Sequence, residues 1–534
     1  MSRDSFLRGA LILTAAGVVV KLIGSVNRIF LSRLLGGEGI GLYQMAYPIY
    51  LLALSISSAG IPIAISIMVA EKAAVGDYRG ASRIFRISWS ILAITGLLCS
   101  SLLYWSAGWL TEHNWVRDER AYYAIAALAP AIFFVTVLSS YRGFFQGLQM
   151  MTPTAVSQIV EQLVRVVVMV ALAYIFLPMG LEYAAAGASF GAAPGAAAAL
   201  AVLMAYYWRR RCYIQRRMLP GPAVPQQSSW AIMKRMIKLA LPVSLAYIML
   251  PVVSSIDLII VPARLEAAGY TVQQATELFG YLTGMATALI NLPTILTGSL
   301  ATSLVPSIAE AFTRKNHALI CRRSATAIRI SNTITIPSFA GMYLLAEPIC
   351  QMLYDAPEAG TAVSILALGV IFLGIHQVST GILQGLGRTA IPFINMLVAA
   401  AVKIILNWYL TAMPAWGVKG AAWATNADFA VGALLNMLFI YRYTGFCWRI
   451  TDTLKAVLAT FMMSAVVLYV YDTVMLATMY NTIATLAAIV SGCIVYAFSL
   501  LLLGGVQEGD VERIPGGGGI LVVLLRRLGI FKKK

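Results

Sequence analysis

Charge is what this sequence has least of. Lys, Arg, Asp and Glu make up 11% of its 534 residues, against about 25% in an ordinary soluble domain. With 60% hydrophobic residues, that scarcity excludes a string of soluble domains, and no stretch reads as a polar linker between compact cores. Histidine is nearly absent: His113, His317 and His376 have no metal-ligand spacing. The cysteines (Cys99, Cys212, Cys321, Cys350, Cys447, Cys493) lack a CxxC pair, so neither a zinc site nor a disulfide framework is expected. HExxH and Walker GxxxxGK(S/T) patterns are missing, and the GxSxG spacing occurs only as Gly187-Ala188-Ser189-Phe190-Gly191 inside an apolar run. Their absence removes ATP-driven transport within the chain and argues against hydrolysis; no cofactor and no enzymatic activity are expected.

What is present is a succession of apolar runs of about 20 to 25 residues, the length with which an α-helix crosses a ~30 Å hydrocarbon layer. The fold class is an all-α polytopic membrane protein. Fourteen spans are expected, near 9–31, 40–70, 84–108, 121–141, 154–178, 183–208, 236–262, 276–303, 325–350, 362–386, 390–413, 418–441, 453–475 and 482–503. Met1 to Val20 resembles a signal peptide but lacks a small-residue cleavage site, so it reads as an uncleaved first span.

The formal net charge of +17 could suggest nucleic acid. Lys and Arg are retained on the cytoplasmic side of membranes, and with cytoplasmic termini the loops carry a net +22 inside and −6 outside, leaving +1 within the spans. A basic surface facing anionic headgroups accounts for the excess without nucleic acid. The expected location is the bacterial cell membrane, multi-pass.

The chain divides into an N-lobe at 1–208 (spans 1–6), a basic, Pro-rich cytoplasmic tether at 209–235, a C-lobe at 236–445 (spans 7–12), spans 13 and 14 at 446–504, and a cytoplasmic amphipathic tail at 505–534. The two lobes resemble each other. Phe145-Gln146-Gly147-Leu148 matches Leu383-Gln384-Gly385-Leu386 at an offset of 238, and Arg165 then matches Lys403. The Gly180 to Ala185 segment matches Gly417 to Ala422 at 237, while Glu71 matches Glu310 and Arg83 matches Arg322 at 239. Six spans per lobe put both repeats in the same orientation, so a parallel pair rocking about a central site is expected.

A charge at mid-membrane costs roughly 2.5–3.5 kcal/mol on the insertion scale and faces a cavity or a partner. Lys21, Gly24, Ser25 and Arg28 share one face of span 1, with Asn27 beside them. Gln158, Glu161, Gln162 and Arg165 form a stripe on span 5, and Asn395, Lys403 and Asn407 repeat it on span 11. Asp257 lies in span 7, and Asn426 and Asp428 in span 12. The first half carries Lys21, Arg28 and Arg165 against Glu161, the second Lys403 against Asp257 and Asp428. This pattern suits a cationic first half gripping a diphosphate and an acid in the second half taking H⁺ or Na⁺. Plainer readings stand beside it: Glu161 and Arg165 are an i,i+4 pair that could neutralise itself, Arg28 could snorkel to the interface, and His376, Gln377 and Asn291 could be interhelical hydrogen-bond partners. Pro242, Pro251 and Pro262 punctuate span 7, either as a bent gate or as static kinks.

Several segments carry a family resemblance: Gly36 to Gln44, Gly60 to Ser66, Arg142-Gly143-Phe144-Phe145-Gln146-Gly147, Leu177 to Gly187, Leu304 to Glu310 and Glu512-Arg513-Ile514-Pro515. They resemble the stage V sporulation protein B branch of the polysaccharide exporters, within the multidrug/oligosaccharidyl-lipid/polysaccharide superfamily and related to the lipid II flippases. The resemblance implies two six-helix lobes, two extra helices and outward flipping of undecaprenyl-diphosphate-linked sugars, here for peptidoglycan of the cell wall or spore cortex. It also implies a basic residue in span 1, matched by Lys21 in a basic-x-x-Gly pattern. At the next basic position of that pattern this chain has Asn27, followed by Arg28; span 2 lacks an Arg, and Ala288 and Asn291 occupy the corresponding span 8 positions.

The expected activity is therefore a flippase working by alternating access on a lipid-linked oligosaccharide, with Lys21, Arg28, Arg165, Lys403, Glu161 and Asn27 at the substrate and Asp257 or Asp428 at a coupling ion. Membrane lipids, H⁺, Na⁺ or the membrane potential and cell-wall synthesis proteins are the expected partners, and the protein is expected to be a monomer. The alternatives are an ion-coupled exporter of cationic drugs on the same fold and a non-transporting scaffold for wall synthesis.

Overall fold

The computed structural model describes residues 3–58, 60–216, 228–445 and 450–505. Residues 217–227 of the tether and all of the tail beyond residue 505 lie outside them. Hydrocarbon offers no hydrogen bonds to a backbone, so a spanning chain must satisfy its peptide groups internally. The described residues are accordingly helical, with no strand among them. In order the helices are α1 (Arg3–Ser58), α2 (Ile61–Ala74), α3 (Tyr78–Glu112), α4 (Ala121–Gly147), α5 (Met151–Phe176), α6 (Leu181–Phe190), α7 (Ala192–Arg216), α8 (Ser229–Ala267) and α9 (Val272–Phe279). A π-helical stretch, Gly280–Ala286, leads into α10 (Thr287–Thr313), α11 (His317–Leu344), α12 (Ala346–Tyr354), α13 (Gly360–Gly385), α14 (Ala390–Leu410), α15 (Val418–Thr444), α16 (Ile450–Thr478) and α17 (Asn481–Leu502).

Twelve stretches of the described residues are long and apolar enough to span a membrane. The first, Ala15–Ala74, is 60 residues long, enough for two crossings. It breaks at Gly36, whose φ of 65° ends one helical segment and starts another, a backbone conformation glycine tolerates best. The 28-residue α11 also has spanning length but more polar surface. These elements accommodate the all-α polytopic class with its expected spans. Within that class some spans divide: the sixth is split into α6 and α7 at Gly191, and the eighth contains the π-helical stretch.

Two compact units form, Met1–Gly284 and Met285–Lys534. The boundary falls inside the π-helical stretch, so α8 and α9, with Asp257, pack with the first unit. In unit 1 a Cβ on Gly143 or Gly147 of α4 would meet the Pro62 and Ser66 carbonyls of α2 at 2.7 Å. In unit 2 a Cβ on Gly381 or Gly385 of α13 would meet the Ala301 and Val305 carbonyls of α10 at 2.6 and 2.8 Å. Small residues let helices approach closely in a membrane, where apolar burial supplies little drive. Gly143 and Gly147 recur as Gly381 and Gly385 at an offset of 238, and Ser66 and Val69 as Val305 and Ile308 at 239.

The turns recur as well. Asp77 caps α3 by accepting from the Gly80 N–H at 2.7 Å, and Asn316 caps α11 by accepting from the Leu319 N–H at 2.9 Å. Positive φ repeats at Gly76 and Lys315, at Gln149 and Gly387, and at Gly180 and Gly417. At the first two of these pairs, residues of different type hold a similar positive φ at the same place in each half.

Replacing Gly147 or Gly385 by Leu is expected to cost about 1–3 kcal/mol, read as a lower melting temperature of the purified protein. Gly341→Ala, where nothing lies within 4 Å of the added Cβ, is expected to be neutral or slightly stabilising. Burial pushes the Asp77 carboxyl up, but the Gly80 N–H and Lys72, at 3.0 Å, outweigh it and hold the group below its ordinary value. Its contribution is therefore present above the unfolded carboxylate value, about 3.9, and lost as pH falls through the folded value. Asp77→Asn is expected to be about 1 kcal/mol less stable than wild type at pH 7 and equal to it in acid, measured by thermal unfolding across pH.

Candidate functional site

Helix α5 is turned inside out relative to a helix of a soluble protein. Its apolar Leu163, Val167, Tyr174 and Ile175 are exposed, while Gln158, Glu161, Gln162 and Arg165 lie on a half-buried face. Helix α14 repeats the arrangement in unit 2: Asn395, Lys403 and Asn407 are buried, and Ile394, Leu397, Ile405 and Trp408 are exposed. Apolar residues outward and polar residues inward is the pattern lipid imposes on a helix that also borders a polar interior.

At the centre of unit 1, Glu161 accepts from two guanidinium groups. Arg165 donates from Nη2 to Oε1 at 2.7 Å, and Arg142 of α4 donates from Nη2 to Oε2 at 2.8 Å. Arg142 also donates from Nε to the Ser157 hydroxyl at 3.2 Å, and Ser157 in turn donates to the Thr154 carbonyl. The i,i+4 pair seen in the sequence is therefore made, yet the cluster stays net positive because a second arginine shares the carboxylate. Arg165 Nε is buried with no hydrogen-bond partner among the described residues.

The second segment of α1 lays Tyr43, Tyr47 and Tyr50 along one face, successive ring centroids lying 5.8 and 5.9 Å apart. All three lie within electrostatic range of Arg165. Tyr43 is also within range of Arg28, which joins span 1 to the triad. Arg28 donates to the Gly284 carbonyl at 3.2 Å and Gln44 to the Thr283 carbonyl at 3.0 Å. Both acceptors lie in the π-helical stretch, so side chains of α1 bond its carbonyls. A Cβ on Gly24 would lie 3.2 Å from Gln162 Nε2, which places α5 closely against the first segment of α1.

The remaining expected residues fall as follows. Lys21 is exposed on α1 and has no acidic ion-pair partner among the described residues. Asn27 is buried and directs Nδ2 to the Met169 sulfur at 2.9 Å, with Oδ1 unpartnered among the described residues. Asp257 is half-buried on α8 in unit 1. In unit 2, Lys403 is buried on α14 and Asp428 half-buried on α15. Asn395 donates to Asn436 at 2.8 Å and Asn436 to Thr380 at 3.0 Å, while Gln377 accepts from Thr297 at 2.6 Å. These last contacts are the interhelical bonds expected of polar residues in spans. The structure thus brings Glu161 and Arg165 together and adds Arg142, while Arg28 bonds the Gly284 carbonyl.

Sequence reasoning missed two parts of the cluster. The fourth apolar window ends at residue 141 and leaves Arg142 just outside it, whereas α4 runs to Gly147. The tyrosines stand at i, i+4 and i+7, a spacing that would have found them. Away from the cluster, Arg120 bridges Glu38 and Asp118, each at 2.7 Å, and Asp118 accepts from Thr276 at 2.9 Å, tying α1 and α9 to the α3–α4 connection. A cleft of about 790 Å³ in unit 2 is lined by Glu347, Lys419, Tyr343 and Trp423. Among the described residues no group of His, Cys, Asp and Glu could hold a metal ion. Cys321 is disulfide-bonded, which the scattered cysteine spacing did not signal; Cys99, Cys350 and Cys493 are free.

Glu161→Gln is expected to leave two guanidinium groups facing each other and to lower stability by about 1–3 kcal/mol. Arg142→Gln, which leaves the neutral Glu161–Arg165 pair, is expected to cost less. A double-mutant thermal-unfolding cycle measures the coupling.

Comparison with known proteins places these features in context. Residues 6–312 match the family described as polysaccharide biosynthesis protein, and residues 281–409 match MatE. Stage V sporulation protein B of Bacillus subtilis (strain 168) is 30% identical over 528 residues, spanning 98% of this chain and 100% of that protein. Lipid II flippase MurJ of the same organism is 28% identical over 538 residues, spanning 96% and 98%. Among solved structures, lipid II flippase MurJ in an inward closed conformation superposes with a TM-score of 0.66 at 18% identity, covering 92% of this chain and 98% of that one. An inward-facing MATE family transporter of the MOP superfamily gives 0.65 at 15% identity, covering 79% and 93%.

Proposed function

Since the chain belongs to the polysaccharide biosynthesis protein family, within the multidrug/oligosaccharidyl-lipid/polysaccharide superfamily, we propose that it is a flippase. It carries a lipid-diphosphate-linked saccharide, a peptidoglycan or spore-cortex precursor, from the inner to the outer leaflet by alternating access between two lobes. The observation that carries this reading is the net-positive cluster of Arg142, Glu161 and Arg165, with Arg28 in range through Tyr43, on the polar faces of α1, α4 and α5. The names of the two relatives, a sporulation protein and a lipid II flippase, support it.

A diphosphate with a hydrophilic sugar cannot enter hydrocarbon unaided. Fixed guanidinium groups replace its water and counter-ions through charge-assisted, often bidentate bonds, while the polyprenyl tail stays in lipid. Lys21, exposed on the same helix as Arg28, is the first cation such a headgroup meets, and Lys403 is its counterpart in the second half. Asp257 and Asp428 are the candidates for H⁺ or Na⁺ coupling. The termini are cytoplasmic in this reading, and the protein acts as a monomer without enzymatic chemistry.

An exporter of cationic drugs would need an acid-dominated cavity, and two arginines around one glutamate oppose that. A scaffold would need its charges paired, and Lys21 lacks an acidic partner among the described residues. Deleting the protein in its own cell is expected to leave a lipid-linked saccharide accumulating on the inner leaflet. Lys21→Gln and Lys403→Gln at normal protein level are expected to reproduce most of that accumulation, with about a tenfold loss of export. Normal wall or cortex synthesis in both variants would rule the mechanism out.

A further inference from the structure

The Arg142–Glu161–Arg165 triad is more than a fixed ion pair. A carboxylate held by two guanidinium forks has the charge and shape of a small oxyanion ligand. The forks are only partly used: each arginine gives Glu161 a single Nη2 bond, and Arg165 Nε is buried without a partner among the described residues. Within electrostatic range of Arg165 stand Tyr50 and Tyr43, both buried, each with a hydroxyl able to donate. Unused donors gathered around one carboxylate in a poorly solvated interior are costly unless something else accepts from them.

We propose that Glu161 is a place-holding anion, and that Arg142, Arg165 and the Tyr43 and Tyr50 hydroxyls form a subsite for a phosphate or diphosphate group that competes with it. This inference rests on the flippase reading and deepens it. With Glu161 in place the site carries one net positive charge, so a diphosphate is bound weakly enough to leave. Removing the Glu161 charge leaves two free forks and makes the site an anion trap. Tight binding at the pocket is the opposite of what translocation needs, and Glu161 sets the compromise.

The test is inorganic diphosphate and, separately, farnesyl diphosphate titrated into the full chain in phosphatidylcholine nanodiscs, followed by calorimetry and thermal shift. Glu161→Gln is expected to bind either probe about tenfold more tightly than wild type despite its lower stability without ligand. Arg142→Gln and Arg165→Gln are expected to bind about tenfold more weakly, with Arg142→Lys intermediate. Tyr50→Phe is expected to weaken binding severalfold with an unchanged melting temperature, which a structural hydroxyl would not do. Unchanged affinity in Glu161→Gln and Arg142→Gln, with only stability altered, overturns the proposal. So does loss of diphosphate binding when the nanodisc contains phosphatidylglycerol, because the site would then belong to ordinary phospholipid headgroups. If Lys21→Gln alone weakens binding, the subsite falls and the translocation reading stands; if wild type binds neither probe, both fall.

Discussion

A half-buried carboxylate between two guanidinium groups is tolerated inside a bilayer because charge-assisted bonds at 2.7 and 2.8 Å offset part of the cost of desolvating three charges. Much of unit 1 follows from accommodating that triad. Helices α4 and α5 must approach closely enough for Arg142 to reach Glu161, and α5 must turn its polar stripe inward and its apolar face outward. Gly195 of α7 packs directly on the Glu161 carbonyl and on Arg165, so the helix behind the triad has no side chain at the point of contact. Gly24 does the same for Gln162 on the α1 side. Small residues thus frame the charges, and the charges give an otherwise apolar bundle a polar interior.

Unit 2 keeps the frame and changes the chemistry. Gly381 and Gly385 pack as Gly143 and Gly147 do, and α14 turns inside out as α5 does. At the position of Arg165 stands Lys403, surrounded along α14 by Asn395 and Asn407 instead of a glutamate. The duplicated scaffold thus carries an arginine pair on a glutamate in one half and a lysine among amides in the other.

The repeat was legible in the sequence because its markers are local: Gly147 and Gly385 sit in the same Gln-Gly-Leu run, and Arg165 and Lys403 follow at the same distance. The inward stripes of α5 and α14 were legible for a related reason, since 3.6-residue periodicity of polar groups in an apolar helix is read directly. Arg142 was not, because an apolar window loses a charge at its edge whether the helix continues or stops. The π-helical stretch at Gly280–Ala286 was hidden too; its carbonyls at Thr283 and Gly284 accept from Gln44 and Arg28, partners more than 200 residues away that no local pattern encodes. The packing of α8, with Asp257, into unit 1 is likewise set by long-range contacts, among them Gly60, whose N–H donates to Ser244 at 3.0 Å. Gly191 breaks a helix where hydropathy alone reads one continuous span, 183–208.

The central claim is that fixed cations on α1, α4 and α5 carry an anionic lipid headgroup across the membrane. Reconstitution of the purified chain in liposomes, with a fluorescent short-chain prenyl-diphosphate saccharide in both leaflets and a membrane-impermeant quencher outside, measures this directly. Wild type is expected to bring the inner pool to the quencher, and Arg165→Gln and Lys21→Gln to slow that exchange by at least about tenfold without changing the amount of folded protein. Equal rates in wild type, both variants and protein-free liposomes would contradict the account.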